Sequence, residues 1–208
     1  MAAGLAYRSV IGYDLLMRAL YGRHYHARSR AVADLIPAGA SVLDLCCGTG
    51  TLYRRYLRAR GVAYTGVDIN SRFVDRVRRL GGEALVRDLR LDGELPRADF
   101  VVMQAALYHF LPDPGPVLGR MERAARIRVI VAEPIRNLAA SGSPIVAAMA
   151  RRLTDPGTGA QPLRCDEAML DRLLGGAGHP SARTYYIPGG REKVYVLDVA
   201  PGREESPR

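Results

Sequence analysis

Lysine is almost absent from this sequence: Lys193 is the single lysine among 30 lysine and arginine residues. The basic residues outnumber the 21 aspartates and glutamates, so the formal net charge is +9. A basic surface concentrates polyanions, which by itself would favour a nucleic-acid partner. The near-exclusive use of arginine, however, is typical of an arginine-biased genome and not of a selected binding face. The charge alone therefore does not predict a nucleic-acid partner.

Cysteines and metal-ligand patterns are also scarce. The three cysteines, Cys46, Cys47 and Cys165, cannot form a disulfide framework, which favours a reducing, cytoplasmic setting. We interpret them as small packing residues and not as nucleophiles. The histidines form no ligand spacing beyond a short pattern at His24 and His26, so we expect no metal site.

Long hydrophobic runs are missing as well. The first twenty residues carry Arg8, Asp14 and Arg18, which argues against an apolar secretory signal. The most apolar later stretch, residues 137–150, is too short to span a bilayer and contains glycine and proline. We therefore expect a cytoplasmic protein without a membrane span.

Short apolar runs alternate with longer amphipathic segments, which is the pattern of a parallel sheet covered by helices. The 208 residues, 48% hydrophobic and 25% charged, fit a single domain over residues 1–200 with a flexible tail at 201–208. The predicted strands are 41–46, 63–67, 84–86, 98–103, 129–132, 182–187 and 193–199. The predicted helices are 7–21, 27–35, 52–60, 71–80, 116–125, 137–153 and 166–174.

The last two predicted strands are separated by the turn-rich residues 188–191, Pro-Gly-Gly-Arg. This connection is too short for a crossover helix, so the two strands should form an antiparallel hairpin at the end of the sheet. We therefore expect an α/β fold with a seven-stranded, mostly parallel sheet, a C-terminal antiparallel hairpin and helices on both faces.

An apolar strand leads through an acid into a glycine loop at residues 42–50, which contain Asp44, Gly48 and Gly50. Ligands of α/β sheets bind outside the carboxyl ends of the strands, and glycines let the backbone approach a ligand closely. The dinucleotide fingerprint and the phosphate-binding loop motif are both absent. Asp44 would repel a pyrophosphate but suits a ligand that bears an ammonium group.

Two more acids follow the next two predicted strands. Asp68 lies eighteen residues after Gly50, where a carboxylate binds ribose hydroxyls in nucleotide-binding βαβ units. Asp88 follows the third strand, where it could accept from an adenine amino group. Each acid alone could instead cap a helix or lie in an ordinary turn. Together with Asp44, at three consecutive strand ends, they predict a pocket for a ribosyl-adenine with a cationic tail.

These residues resemble the class I S-adenosylmethionine-dependent methyltransferases over about residues 42–134. The family's first motif, an acid followed by alternating glycines, matches Asp44, Gly48 and Gly50, with Cys46 in place of the first alternating glycine. The variant is similar to those of small-molecule methyltransferases of the quinone-pathway group. The resemblance implies a Rossmann-like fold and S-adenosylmethionine as the cofactor.

The resemblance also implies roles for individual residues. Gly48 and the neighbouring backbone would hold the methionine moiety, and Asp68 the ribose. Ile69 would contact the adenine face, and the end of the fourth strand, at Gln104, would support the sulfonium. The full set of residues expected at the cofactor is Tyr21, Asp44, Cys46, Gly48, Gly50, Asp68, Ile69, Asp88, Leu89 and Gln104.

Two ionisable residues are candidates for catalysis. His109, just beyond the fourth strand, could be a general base, or it could pack at a helix start and donate to a backbone carbonyl. Glu133, at the end of the fifth strand, could orient an acceptor or bind a helix end.

Two segments could cover the site. Residues 1–36, which include Tyr21, could form a lid over the cofactor mouth or a plain amphipathic docking helix. Residues 137–165 could form a second cover, whose apolar composition suggests an apolar acceptor, or could simply pack on the sheet.

The nature of the acceptor follows partly from motifs that are missing. Methyltransferases of base amino groups carry an acid or asparagine, two prolines and an aromatic after the fourth strand, whereas this chain has Gln-Ala-Ala-Leu at 104–107. No cysteine follows a proline, as the cytosine-carbon enzymes require. We expect a small, partly apolar metabolite as acceptor and a monomer or homodimer. The alternatives are an RNA methyltransferase acting on ribose or a non-exocyclic position, and a non-catalytic S-adenosylmethionine-binding protein.

Overall fold

The computed structural model describes residues 26–91, 93–135, 163–175, 179 and 182–199. The strands are β1 Ser41–Leu45, β2 Ala63–Asp68, β3 Glu83–Val86, β4 Ala98–Gln104, β5 Ala125–Pro134, β6 Arg183–Tyr186 and β7 Glu192–Asp198. The α-helices are α1 Ala27–Ala33, α2 Ser71–Arg79, α3 Gly115–Ala124 and α4 Glu167–Leu174. A π-helical segment, Tyr53–Leu57, continues into a 3-10 turn, Arg58–Arg60, and a second 3-10 turn spans Leu107–Phe110.

All seven strands form one sheet in the order β3-β2-β1-β4-β5-β7-β6. Strands β1 to β5 are parallel, and β7 is antiparallel to both β5 and β6. The predicted mostly parallel sheet with a C-terminal antiparallel hairpin is therefore confirmed. The strand order reverses between β1 and β4, which opens a crevice outside their carboxyl ends.

Two apolar layers cover the sheet because the central strands are buried on both faces. On one face Leu43 and Met103 belong to a core cluster with residues of α3 and α4. On the other face Val42 and Val102 pack with residues of α1, α2 and the π-helical segment. Helices on both faces of the sheet, as predicted, leave its carboxyl edge as the place for a ligand.

Strand β5 begins earlier than the predicted 129–132, and the preceding helix ends at Ala124. Ala125 already pairs with Ala98 on β4, and Arg128 forms an ion pair with Asp198 on β7, with an Nε to Oδ1 distance of 2.6 Å. Arg126 and Arg128 interrupt the apolar pattern that predicts a strand, so the start of β5 was not predicted. Cross-strand pairing stabilises the strand there in spite of these charges.

Several predictions fall on residues outside the described ones. They include the helices at 7–21 and 137–153, Tyr21, most of both proposed covers and the tail at 201–208. Within the described ranges, no helix has the length and apolar character needed to cross a membrane.

Lys193, the single lysine, is buried on β7 against α4. Its Nζ donates to Glu167 Oε1 at 3.0 Å and to Asp171 Oδ1 at 2.7 Å. The Tyr195 hydroxyl donates to the same Asp171 oxygen at 2.8 Å, and the Tyr186 ring centroid lies 5.2 Å from the ammonium. A compact ammonium with three donors suits this enclosure better than a planar guanidinium. The cluster joins α4 to the hairpin.

We expect Lys193→Met to lower the free energy of unfolding by about 1–3 kcal/mol, because it leaves Asp171 and Tyr195 without their cation. Arg126→Met is the matched control, since the exposed Arg126 lies 3.6 Å from Asp99 and such pairs contribute about 0–1 kcal/mol. Urea unfolding of both variants measures the difference. Equal losses would show that the Lys193 cluster contributes no more to stability than an exposed ion pair.

Candidate active site

The candidate site lies in the crevice at the carboxyl ends of β1 and β4. Three elements border it: the glycine loop after β1, the end of β2 and the turn after β4. The predicted residues Asp44, Cys46, Gly48, Gly50, Asp68 and Gln104 lie on these elements.

The glycine loop turns sharply through left-handed backbone conformations. Cys46, Gly48 and Gly50 have φ values of 55°, 54° and 72°. A Cβ at Gly50 would lie 2.8 Å from Val77 Cγ2, so glycine is required there for space as well as for its backbone angle. Cys46 adopts the backbone conformation that favours the glycine it replaces, at a cost of about 1–2 kcal/mol.

Asp68, at the end of β2, fixes the loop from the side. Its Oδ2 accepts from the Gly48 N–H at 2.9 Å, and its Oδ1 accepts from the Asn70 N–H at 2.8 Å. Burial raises the pKa of this carboxyl, and the backbone donors partly offset the rise. Asp68 therefore connects the glycine loop after β1 to the end of β2.

Asp44 is buried on β1, beneath the loop. The Tyr64 hydroxyl donates to its Oδ2 at 2.7 Å, and the Tyr64 ring stacks on Tyr53 at a centroid distance of 4.5 Å. Burial raises the pKa of Asp44 to about 7; the Tyr64 hydrogen bond opposes the rise, and the charge of Asp68 adds to it. Two buried acids beside one loop make a site that favours a cation.

The residues expected at the adenine have different surroundings. Ile69 is partly exposed beside Asp68, whereas Leu89 is buried in the core. Asp88 accepts from Arg90, whose Nη2 lies 2.5 Å from Oδ2 and whose Nε lies 3.0 Å from Oδ1. This side-chain hydrogen bond lowers the pKa of Asp88. Sequence reasoning missed Arg90, although its spacing of two residues from Asp88 is the available signal.

The turn after β4 carries the aromatic side chains of Tyr108, His109 and Phe110. Gln104 accepts from the Ser29 hydroxyl at 3.4 Å, which connects the turn to α1. The Tyr108 and His109 rings lie 4.0 Å apart, and the Arg164 guanidinium lies 4.5 Å from the Tyr108 centroid. Ser29 and Arg164 were not predicted, because they approach from distant parts of the chain and carry no local motif.

Glu133 lies at the end of β5 and is fully buried. Its Oε1 accepts from the Ala106 N–H at 2.6 Å and from the Leu107 N–H at 2.8 Å. Burial raises the pKa of Glu133 to about 7, although the two N–H groups oppose the rise. The structure thus places Glu133 at the start of the 3-10 turn that bears His109.

A protein family described as "Methyltransferase domain" matches residues 17–134, which is more than half of the chain. The chain belongs to this family. The match covers the glycine loop, the ends of β2 and β3, the turn after β4 and Glu133. A comparison with curated proteins gives no match.

Solved structures share the fold of this methyltransferase. Magnesium protoporphyrin IX methyltransferase from Synechocystis PCC 6803, with bound SAH, is 20% identical with a TM-score of 0.64, over 93% of this chain and 97% of that chain. A methyltransferase in complex with the Haloferax volcanii Trm112 methyltransferase activator is 17% identical, with a TM-score of 0.69, over 97% and 100%. A SAM-dependent methyltransferase from Aquifex aeolicus is 16% identical, with a TM-score of 0.61, over 88% and 97%.

The methyltransferase uses S-adenosylmethionine, the cofactor of this class, and its residues fit that molecule. The cofactor carries an ammonium and a sulfonium, and Asp44 and Asp68 are buried carboxylates beside one loop. The space at Gly48 is open, since a Cβ there would meet no atom within 4 Å. A cationic nucleoside therefore matches both the charge and the shape of the loop.

We expect Gly50→Ala to destabilise the methyltransferase more than Gly39→Ala does. Both glycines have left-handed φ values, 72° and 75°, but only at Gly50 would the new methyl group meet another side chain, Val77. The difference in the free energy of unfolding should be at least about 1 kcal/mol. Urea unfolding measures it, and Val77→Ala should restore part of the loss only in the Gly50→Ala background. Equal losses at the two glycines would contradict the steric argument.

We expect stability to fall as the pH rises from about 5 to about 7, because the folded state keeps protons on Asp44 and Glu133 that the unfolded chain has released. For each carboxyl the slope is at most about 1.4 kcal/mol per pH unit. Urea unfolding at several pH values, compared between the unaltered chain and Asp44→Asn, isolates the contribution of Asp44. A difference that does not change over this interval would contradict the raised pKa.

Proposed function

We propose that the methyltransferase transfers the methyl group of S-adenosylmethionine to a small, partly apolar metabolite. The observation that carries this proposal is the wall formed by the turn after β4, where the Tyr108 and His109 ring centroids lie 4.0 Å apart with their planes tilted by 37°, and the Arg164 guanidinium lies over the Tyr108 ring. Aromatic rings favour an acceptor with an apolar surface. The magnesium protoporphyrin IX methyltransferase, which shares the fold, supports a metabolite as acceptor.

We assign the cofactor's parts to the residues at the strand ends. Asp44 and the loop backbone at Cys46, Gly48 and Gly50 would hold the methionine end, because the ammonium requires a negative environment. Asp68 would accept from the ribose hydroxyls through lone pairs that its backbone donors leave open. Adenine would lie against Ile69, with Asp88 and Leu89 at its edge, and Gln104 would lie near the sulfonium.

The bound cofactor supplies an electrophilic methyl group on a cationic sulfur. The task of the chain is then to hold the acceptor in line with that group and to exclude water. When the acceptor atom carries a proton, a base must remove it. We assign this role to His109, which lies on the turn that forms the wall.

The arrangement of the arginines supports a small acceptor in preference to RNA. Arg60 donates to the Ala33 and Ile36 carbonyls, and Arg120 donates to the Leu89 and Leu91 carbonyls. Arginines that are engaged with the main chain contribute less to a polyanion-binding face than the net charge of +9 indicates.

We expect the methyltransferase to bind S-adenosylmethionine in a calorimetric titration, and Asp68→Asn to weaken the affinity at least about tenfold. The loss of one charge-assisted contact to ribose, together with a weakened hold on Gly48, accounts for this size. Asp75→Asn is the matched control, since Asp75 lies on the exposed side of α2 and pairs with Arg78 at 3.5 Å. Lack of binding by the unaltered chain would overturn the proposed function.

The acceptor class is tested with radiolabelled S-adenosylmethionine and a cell extract that is separated into metabolite and RNA fractions. Label in a metabolite supports the proposal, and label in RNA establishes the alternative. Binding of the cofactor without transfer to either fraction would identify a non-catalytic binding protein. His109→Asn should reduce the labelling by about 10²- to 10⁴-fold if His109 is the base.

A further inference from the structure

The turn after β4 receives its N-terminal cap from another strand. Ala106, which precedes the 3-10 turn Leu107–Phe110, has no side-chain acceptor of its own. Glu133 on β5 provides it, since its Oε1 accepts from both the Ala106 and Leu107 N–H groups at 2.6 and 2.8 Å. Free N–H groups at the start of a helical turn require such a partner when they are buried.

The residue before the cap is held in a strained conformation. Ala105 has a φ of 49°, in the left-handed region that favours glycine. Its N–H donates to the Ala132 carbonyl at 2.8 Å, one residue before Glu133. Strained residues persist where their surroundings hold them on several sides. The end of β5 thus holds both Ala105 and the two residues after it.

We call the three hydrogen bonds from the Ala105, Ala106 and Leu107 N–H groups to the end of β5 the clamp. The clamp holds the turn that carries Tyr108 and His109. Tyr108 and Phe110 pack against the same core cluster as Cys46 of the glycine loop. The His109 N–H donates to the Ala106 carbonyl at 3.0 Å, so the backbone at His109 follows any movement of Ala106. A shift of the cap would therefore move His109 and Tyr108 relative to the loop.

We propose that Glu133 is a positioning residue for methyl transfer, whose ionised carboxylate fixes the turn at residues 105–110 and so places Tyr108 and His109 at the acceptor. The role rests on the proposed function, although the clamp itself does not. We assign Glu133 to the turn and not to the acceptor's proton: its Oε1 accepts two backbone hydrogen bonds, and its Oε2 is buried with no hydrogen-bond partner within the described part of the chain.

The groups around Glu133 make its charge sensitive to pH. Arg28 on α1 favours the ionised carboxylate, and Glu192 on β7 opposes it, but burial outweighs both and raises the pKa to about 7. The remaining neighbours are the thiols of Cys46 and Cys165, whose pKa values are raised mainly by burial, and Lys193, which is opposite Glu133 in register and is bound to Glu167 and Asp171. Since hydrogen bonds to a charged acceptor are stronger, the clamp should tighten as the pH rises through neutrality.

The first test follows the Ala106 and Leu107 amides by ¹⁵N–¹H NMR without cofactor, between about pH 5.5 and pH 8.5. We expect both amide protons to shift with a midpoint close to 7 and to stop titrating in Glu133→Gln. His109→Asn should keep the titration, which separates Glu133 from the nearby imidazole. Persistence of the titration in Glu133→Gln, or its loss in His109→Asn, would overturn the proposal.

A fluorescence measurement gives a second readout, because the sequence contains no tryptophan. Phe110→Trp places a single tryptophan on the turn, next to the core cluster. We expect its emission to shift with the same midpoint and to become independent of pH when Glu133→Gln is added. An emission that titrates equally in both backgrounds would contradict a clamp that depends on Glu133.

The second test measures methyl transfer to the labelled fraction. At pH 8 we expect kcat to fall about threefold in Glu133→Gln, which keeps a neutral acceptor oxygen, and at least tenfold in Glu133→Ala, with KM for S-adenosylmethionine within about threefold in both. The part of the acid limb of the pH profile that Glu133 contributes should disappear in Glu133→Gln, whereas deprotonation of the general base continues to contribute. Glu83→Gln is the control, because Glu83 is the first residue of the edge strand β3; it should change neither kcat nor KM. An equal loss of about 10² or more in Glu133→Gln and Glu133→Ala would instead identify a base.

The two proposals fail in different ways. Lack of S-adenosylmethionine binding removes the proposed function but leaves the amide titration of Glu133 to be observed. A normal binding isotherm with an unchanged kcat in Glu133→Ala removes the positioning role alone. Circular dichroism of each variant confirms that the losses do not come from unfolding.

Discussion

Buried carboxylates at the carboxyl edge of the sheet hold the backbone of the site. Asp68 accepts from Gly48 and Asn70 and thereby joins the glycine loop to β2. Glu133 accepts from Ala106 and Leu107 and joins the turn after β4 to β5. The loops at this edge cannot satisfy all their N–H groups among themselves, so side chains from neighbouring strands supply the acceptors.

These acceptors have an electrostatic consequence for the cofactor. Asp44, Asp68 and Glu133 are all desolvated, and burial raises the pKa of each. A cation in the crevice would relieve this penalty by favouring the ionised carboxylates. The same buried carboxylates that accept hydrogen bonds from the loops would therefore favour a positively charged ligand.

Much of the fold could be predicted from local patterns. The seven strands and the hairpin follow from apolar runs and from the turn at 188–191, because a short connection cannot contain a crossover helix. The start of β5 was missed, since the pairing of Ala125 with Ala98 is a contact between distant parts of the chain. Asp44, Asp68 and Gly48 could be chosen as site candidates because acid and glycine spacing is local.

The sequence by itself determined where the strands end along the chain, the glycine loop and the acids at the strand ends, because each depends on neighbours within a few residues. Only the tertiary structure decided which distant groups meet at the site. Asp68 accepts from Gly48, Arg164 lies over Tyr108, and Glu133 caps a turn 26 residues away, at Leu107. Which group a carboxylate contacts depends on which strands lie next to each other. In this sheet the strand order departs from the order along the chain, so neighbouring strands do not follow from local sequence.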